Sequence, residues 1–377
     1  MLDYVVKSRM PGVQIRHVRM ELSTDESQVG KFRWKKAFRL FPIMIRIVLA
    51  RLKYGSQILY YAPAGANRVS MLRDIVILGA TRFLFRRTVL HYHSGGHAEL
   101  YQTLPAWQKW LFRRAFFHAD GAIRLSELTP EDGKGLDARR EFFVPNGMED
   151  IAGDLPAPQL AAAISAERPL RLLFVALLCE AKGLLVLIKA CGELARRGVP
   201  VQLDVMGRFE SPEFEARTKQ LIAELGIEGN VNFLGVLTGQ AKLEAFYHTD
   251  MLCHPTFYDT FGLVILEAMA CSKPVVATRW ASIPTIINDG QTGYLVEPHD
   301  SITLADRIEE LAADPQLRQQ MGEAGRERFL SEFNLPRHIE HMRQVFLSVG
   351  GDSIANEAAA SEQQWAPAPL EPSPVGA

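Results

Sequence analysis

Two carboxylates, Asp259 and Glu267, stand within "FYDTFGLVILEAMACSKPVVAT", Phe257 to Thr278. The preceding "MLCHPT" has the apolar make-up of a short strand, and "GLVILEAMACS" that of a buried helix. Asp259 is therefore expected in a strand-to-helix loop, within reach of a ligand. The backbone N–H groups at Gly262 and Leu263 would open the helix without partners, and the helix dipole favours an anion there. Gly262 has no side chain to keep a phosphate away. Glu267, about a turn and a half further in, can accept two hydrogen bonds, which suits the vicinal hydroxyls of a ribose. The stretch offers one acid to a sugar, amides to a phosphate and one acid to a diol. A plainer arrangement fits the same residues: Asp259 caps the helix and Glu267 is a structural acid.

A second group lies in "TVLHYHSGGHAEL". His91 and His93 flank Tyr92 on an expected strand, so both point to one face. His93 ends that strand before Ser94-Gly95-Gly96. A zinc site would need an acid or cysteine at ligand spacing, and none follows. Asn146-Gly147 in "VPNG" marks a tight turn.

The elements that must position these groups alternate throughout. In the first half, strands are expected at "VQIRHV", "SQILYYA", "RTVLHYH", "GAIRLS" and "EFFVPN", with helices between them, including "LPAWQKWLFRRAFFHA". From Leu170 a second series begins with "LRLLFVALL" and runs through "VQLDVMG", "VNFLG", "MLCHPT", "PVVAT" and "TGYLVEP", again separated by helical segments. The pattern predicts an α/β protein of two facing Rossmann-like domains with a cleft between them. The first domain is assigned residues 1–155 and the second 156–333. Residues 334–349 form a helix expected to pack back toward the first domain. The Ala/Pro-rich tail 350–377 is expected to be disordered.

Composition narrows the classes. The chain has 377 residues, 47% hydrophobic and 23% charged, enough for a sizeable core. Cys179, Cys191, Cys253 and Cys271 show no C-x-x-C spacing, which argues against a disulfide framework and fits a reducing cytoplasm. No apolar run is long enough to span a bilayer, and the start lacks the order of a signal peptide. The net charge of −1 hides a division, about +10 before Ile151 and about −11 after it. The basic focus is "KFRWKKAFRLFPIMIRIVLARLKYG", Lys31 to Gly55, which contains no acid. Its interleaved aromatics suggest contact with an anionic membrane surface, and Pro42 is expected to split it into two helices. No nucleic-acid motif accompanies the charge.

The stretch "HPTFYDTFGLVILEAMACSKPVVAT" resembles the E-x7-E signature of family four of the retaining glycosyltransferases, the group one set with two Rossmann domains known as the GT-B fold. "IPTIINDGQTGYLVEPHD", "LLFVALLCEAKGLLVLIKA", "VMGRFE", "VNFLGVL" and "VPNGMED" extend the resemblance over most of residues 56–345. It implies transfer of a sugar from a nucleotide-diphosphate-sugar with retention at the anomeric carbon, the departing phosphate helping to deprotonate the acceptor. By resemblance, Glu267 holds the nucleotide ribose, and Phe261, Gly262 and Leu263 form the loop that holds the donor phosphate. Lys182, in "EAKG", neutralises the diphosphate. His93 matches a histidine that reaches the donor sugar near the reacting bond. Asp259 stands where the family has a glutamate on the donor sugar, so this acid is one methylene shorter. Chemistry thus falls to His93, Asp259 and Lys182. No metal or other cofactor is implied beyond the donor itself.

Other departures are plain. The family pattern has Gly-Arg where Ala176-Leu177 stands, and leucine cannot pair with phosphate. An absent arginine–phosphate bond corresponds to roughly 1.5–3 kcal/mol, up to about a hundredfold in rate. Arg208, after "LDVMG", is the candidate substitute for donor binding; a solvated surface arginine is the other reading. The Gly-rich loop and first strand of such a first domain are not found, so an N-terminally incomplete domain with reduced or absent activity is expected. The basic first half and the resemblance together imply a lipid-linked or polysaccharide acceptor in cell-envelope, lipopolysaccharide or exopolysaccharide synthesis, with the enzyme peripheral on the inner face of the membrane. The alternative is a non-catalytic nucleotide-sugar-binding or scaffold subunit of a glycan-assembly complex.

Overall fold

The structure is a computed structural model that describes residues 5–6, 10–20, 40–153 and 163–351. Residues 31–39 of the basic segment, part of the expected linker and the tail from 352 lie outside the described residues.

Four parallel strands form the first sheet: β1 (Ile58–Tyr61), β2 (Arg87–Tyr92), β3 (Gly121–Arg124) and β4 (Glu141–Phe143), in that spatial order. Around it lie α1 (Leu40–Tyr54), α2 (Arg68–Thr81), α3 (His97–Gln102), α4 (Ala106–Phe116) and the short α5 (Asp132–Gly135). The second sheet has six parallel strands: β5 (Leu170–Val175), β6 (Val201–Met206), β7 (Val231–Gly235), β8 (Met251–His254), β9 (Val275–Thr278) and β10 (Gly293–Val296). Their spatial order is β10-β9-β8-β5-β6-β7, that of a doubly wound dinucleotide-binding sheet. The helices in this half are α6 (Leu184–Arg196), α7 (Pro212–Glu224), α8 (Gly239–His248), α9 (Leu263–Ala270), α10 (Ile283–Ile286), α11 (Ser301–Ala313) and α12 (Pro315–Arg328). A π-helical turn, Phe329–Phe333, leads to the last, α13 (Leu335–Gly350).

The sequence accounts for these layers. Strands β8 and β9 are buried along their whole length, as parallel strands covered on both faces must be. In α6 the buried side chains Leu184, Leu187, Ile188, Cys191 and Leu194 recur at helical spacing and pack on β5 and β6. Each such burial is worth roughly 1.5–3 kcal/mol. All four cysteines are free and buried.

One expected strand is not formed. "VQIRHV" gives only an isolated bridge between Met10 and Val13, and residues 14–20 have no regular structure. The alternation is real but serves packing alone: Val13 and Ile15 join the cluster under α13, while Val18 joins the cluster on the other face. Arg343 of α13 anchors the segment by donating to the Pro11 carbonyl at 2.8 Å. Among the described residues β1 is an edge of its sheet. Pro42 sits in the first turn of α1, where it disturbs no helical hydrogen bond, so within Leu40–Tyr54 the helix is continuous.

The chain crosses between the domains twice, at one place. Met148 donates to the Phe333 carbonyl at 3.0 Å, and Leu335 donates to the Met148 carbonyl at 2.8 Å. Gly147 is required here, since a Cβ would lie 2.5 Å from that of His338. Arg326 clamps Asp150 through two bonds of 2.9 and 2.7 Å. After the crossing, Met342, Val345, Phe346 and Val349 of α13 bury themselves against Val89 and Ile123 of the first sheet.

Candidate functional site

The strand order of the second sheet reverses between β5 and β8, and the loops leaving these two strands must diverge. They are held against each other instead. Gly183, at φ 80°, lets the loop after β5 come so near β8 that a Cβ would lie 1.9 Å from the Pro255 carbonyl oxygen. Phe257 N–H donates to the Ala181 carbonyl at 3.0 Å, and the Thr256 hydroxyl to the same carbonyl at 3.3 Å. These contacts fix the turn carrying Lys182 beside the loop carrying Asp259. Lys182 Nζ lies 2.8 Å from Asp259 Oδ2 and 2.9 Å from the Tyr258 carbonyl oxygen. Two of its three N–H donors are thus engaged and one is left to point elsewhere.

Burial alone would raise the Asp259 pKa. The buried His254 ring, with Nε2 at 3.4 Å, and the Lys182 charge outweigh that effect, so the carboxyl is held well below the usual range. Gly262 follows in a left-handed conformation, φ 85°, as the N-cap of α9, and no side chain caps that helix. The first-turn amides of Leu263 and Val264, which have no carbonyl a turn behind them, therefore open on the cleft. The side chain of Phe261 is buried edge-on against Phe333, so only its backbone can meet a ligand.

The first domain supplies the opposite wall. His93, Leu125 and Asn146 face Lys182, His254, Asp259 and the start of α9 across a cavity of about 380 Å³. Beside it, a cavity of about 500 Å³ lies among Leu177, Glu180, Lys182, Glu210 and Tyr258. The rings of His91 and His93 are 4.0 Å apart, as two side chains on one strand face should be. Burial first, then the nearness of His338, push the His93 pKa down to about 4, so it is neutral near pH 7. His91 is fully enclosed, with Nδ1 bonded to the Tyr60 hydroxyl at 2.7 Å.

Of the residues singled out from sequence, the structure brings His93, Lys182, Asp259, Phe261, Gly262 and Leu263 to one cleft. Glu267 lies further along α9, outside both cavities, with Lys242 Nζ of α8 at 2.5 Å. Arg208 is exposed and borders neither cavity. Leu177 does line both, 40% exposed, leaving an apolar side chain at the strand end nearest Lys182. Sequence reasoning passed over Lys242, His254 and the Tyr258 carbonyl. His254 carried a signal, since it ends a buried strand as His93 follows one. Lys242 and the carbonyl carried none.

Residues 160–328 match the model of a family described as glycosyl transferases group 1. The matched stretch is just under half of the chain and runs from before β5 to the end of α12. Curated relatives match part of the chain as well. N-acetyl-alpha-D-glucosaminyl L-malate synthase of Bacillus anthracis is 36% identical over 140 residues, 37% of this chain and 36% of that protein. D-inositol 3-phosphate glycosyltransferase of Pseudarthrobacter chlorophenolicus is 33% identical over 216 residues, 54% and 51% of the two chains. The match thus spans only about a third to a half of these relatives' length. Solved structures share more of the fold. Sucrose-phosphate synthase from Thermosynechococcus elongatus superposes with a TM-score of 0.63 at 22% identity, over 87% of this chain and 82% of its own. Anabaena HepE in complex with UDP gives 0.62 at 20% identity, over 81% and 82%. The two parallel sheets with their helices form the GT-B fold of these neighbours.

Proposed function

We propose that the protein transfers a sugar, with retention, from a nucleotide-diphosphate-sugar to a lipid-linked or polysaccharide acceptor of the cell envelope or of an exopolysaccharide, working on the cytoplasmic face of an anionic membrane. One observation carries this reading: Lys182 and the uncapped start of α9 converge where the second sheet's strand order reverses, facing His93 of the other domain. Hydrogen-bond donors converge where a diphosphate would leave. The spare donor of Lys182 and the amides of Leu263 and Val264 stabilise the negative charge that develops on the departing phosphate, without calling on a metal. Asp259 holds Lys182 in place and presents its second oxygen to a sugar hydroxyl. Neutral His93 donates a hydrogen bond from the opposite wall. Glu267, poised by Lys242, takes the ribose. Neighbours of the same fold that bind UDP and UDP-glucose make uridine diphosphate sugars the first donors to try.

The test is donor turnover by the full chain, with the anomeric configuration of the product read by NMR. Lys182→Ala is expected to lower kcat about a hundredfold, and Glu267→Ala to raise the donor KM about tenfold or more. Donor binding with no turnover in the unsubstituted protein would overturn the reading in favour of a non-catalytic nucleotide-sugar-binding subunit, the alternative that Leu177 favours.

A further inference from the structure

Helix α1 is apolar on two opposite faces. Leu40, Ile43 and Ile47 are buried against the first domain. Phe41, Ile45, Leu49 and Leu52 form a second stripe about half a turn round, and all four are exposed, Leu52 at 75%. Exposed Arg46 and Lys53 flank that outer stripe, and the helix contains no acid. A helix held by its core needs only one apolar face, so the outer one is unexplained by folding.

The surface continues across neighbouring elements. α1 packs on α2, and α2 on α4. The turn after α2 carries Phe83, 74% exposed. That turn is tied to α1 by Arg51, which donates to the Leu84 carbonyl at 2.9 Å. It is tied to the end of α4 by Arg82, which donates to the Phe117 and His118 carbonyls at 2.6 and 2.8 Å. On α4, Trp107 and Trp110 stand outward one turn apart, 61% and 58% exposed. Arg114 lies over the Trp110 ring, 4.9 Å from its centroid, and α4 also contains no acid.

We propose that the outer face of α1, the Phe83 turn and the Trp107–Trp110 edge of α4 form a docking surface for an anionic lipid bilayer. The surface deepens the membrane-acceptor reading above and rests on it for its purpose. Charge complementarity decides the occupant. Aliphatic side chains flanked by Arg and Lys, with tryptophans alongside, are what an interfacial helix presents to acyl chains and acidic headgroups. A two-fold contact with a second copy would set these cations against themselves. No helix among the described residues is long and apolar enough to cross a membrane, so this face would lie on the bilayer.

The test is flotation of the full chain with phosphatidylcholine vesicles, with and without phosphatidylglycerol. Binding is expected only to the anionic vesicles and should weaken as salt rises. The double variants Leu49→Glu/Leu52→Glu and Trp107→Ser/Trp110→Ser should each weaken it about tenfold or more, with unchanged melting temperature because these side chains are exposed. Vesicle addition should also blue-shift tryptophan emission, and Trp107→Ser/Trp110→Ser should remove most of that shift. Absence of binding to anionic vesicles, or binding indifferent to both double variants, overturns the proposal. So does a dimer, seen by light scattering, that the same variants dissociate. Thermal stabilisation of the free protein by soluble uridine diphosphate sugars reports on the donor site alone, so failure of one reading is distinguishable from failure of the other.

Discussion

Two helices near the cleft begin alike and end up doing different things. α3 and α9 each follow a strand, and each has a left-handed glycine at its N-cap, Gly96 at φ 102° and Gly262 at φ 85°. At α3 the chain fills the helix start itself. Buried Asp132 accepts from Gly96 N–H at 2.9 Å and from Ala98 N–H at 2.7 Å, with His97 Nδ1 at 3.7 Å. At α9 no side chain does so, and Asp259, the nearby acid, turns to Lys182 instead. The same backbone device is thus structural in one domain and open to a ligand in the other. What separates them is whether an internal carboxylate completes the first turn.

The contrast can be broken at its structural end first. Asp132→Ala should leave two buried N–H groups without acceptors and destabilise the protein by about 3 kcal/mol, read as a fall in chemical-denaturation midpoint. Asp259→Ala should lower that midpoint less, because Asp259 and Lys182 are each partly open to solvent, while removing turnover. If the two variants lose equal stability, the distinction fails. Gly262→Ala comes next. It puts a Cβ at positive φ, 2.9 Å from the Ile265 side chain, and should cost about 1–2 kcal/mol as well as donor affinity.

Acid should separate the two walls of the cleft. His93 has a folded pKa of about 4 against an ordinary value near 6.5, so the unfolded chain binds the extra proton first as pH falls. Its share of stability is whole above about pH 6.5 and is lost progressively toward pH 4, by about 1–3 kcal/mol. His93→Gln should flatten that part of a stability-versus-pH curve. Asp259, whose pKa is depressed, should add slope only below about pH 5, at the acid end of that window and beyond it. The smallest effect is expected at Lys242→Met. Freeing the Glu267 carboxylate should raise the donor KM only a few-fold, with kcat unchanged and the melting temperature within about 1 °C.

The legible parts of the molecule share a physical cause. Buried parallel strands and one-sided helices write their period into the sequence, so β5 to β10 and the helices between them could be placed, and with them the loop of Asp259 and the start of α9. "VQIRHV" has the same alternation yet forms no ladder, because period two reports two unlike environments and not the hydrogen bonds between strands. The partners of the site residues were hidden for a different reason. Lys242 reaches Glu267 from another helix, and the Tyr258 carbonyl that holds Lys182 is a backbone atom with no residue signature. Side-chain type gave Leu177 away at once, since an apolar residue among groups suited to phosphate is visible in one dimension.

The position of α13 has a consequence for anyone who would divide this chain. Its side chains complete the covering of the first sheet although it follows the whole second domain in sequence, so the second domain is topologically an insert between β4 and α13. A cut placed near residue 155 would therefore strip the upstream piece of its final helix and bare Val89 and Ile123 to water. A separable upstream half must be built by splicing residues 335–350 back onto it, across the point where Met148 and Leu335 already touch.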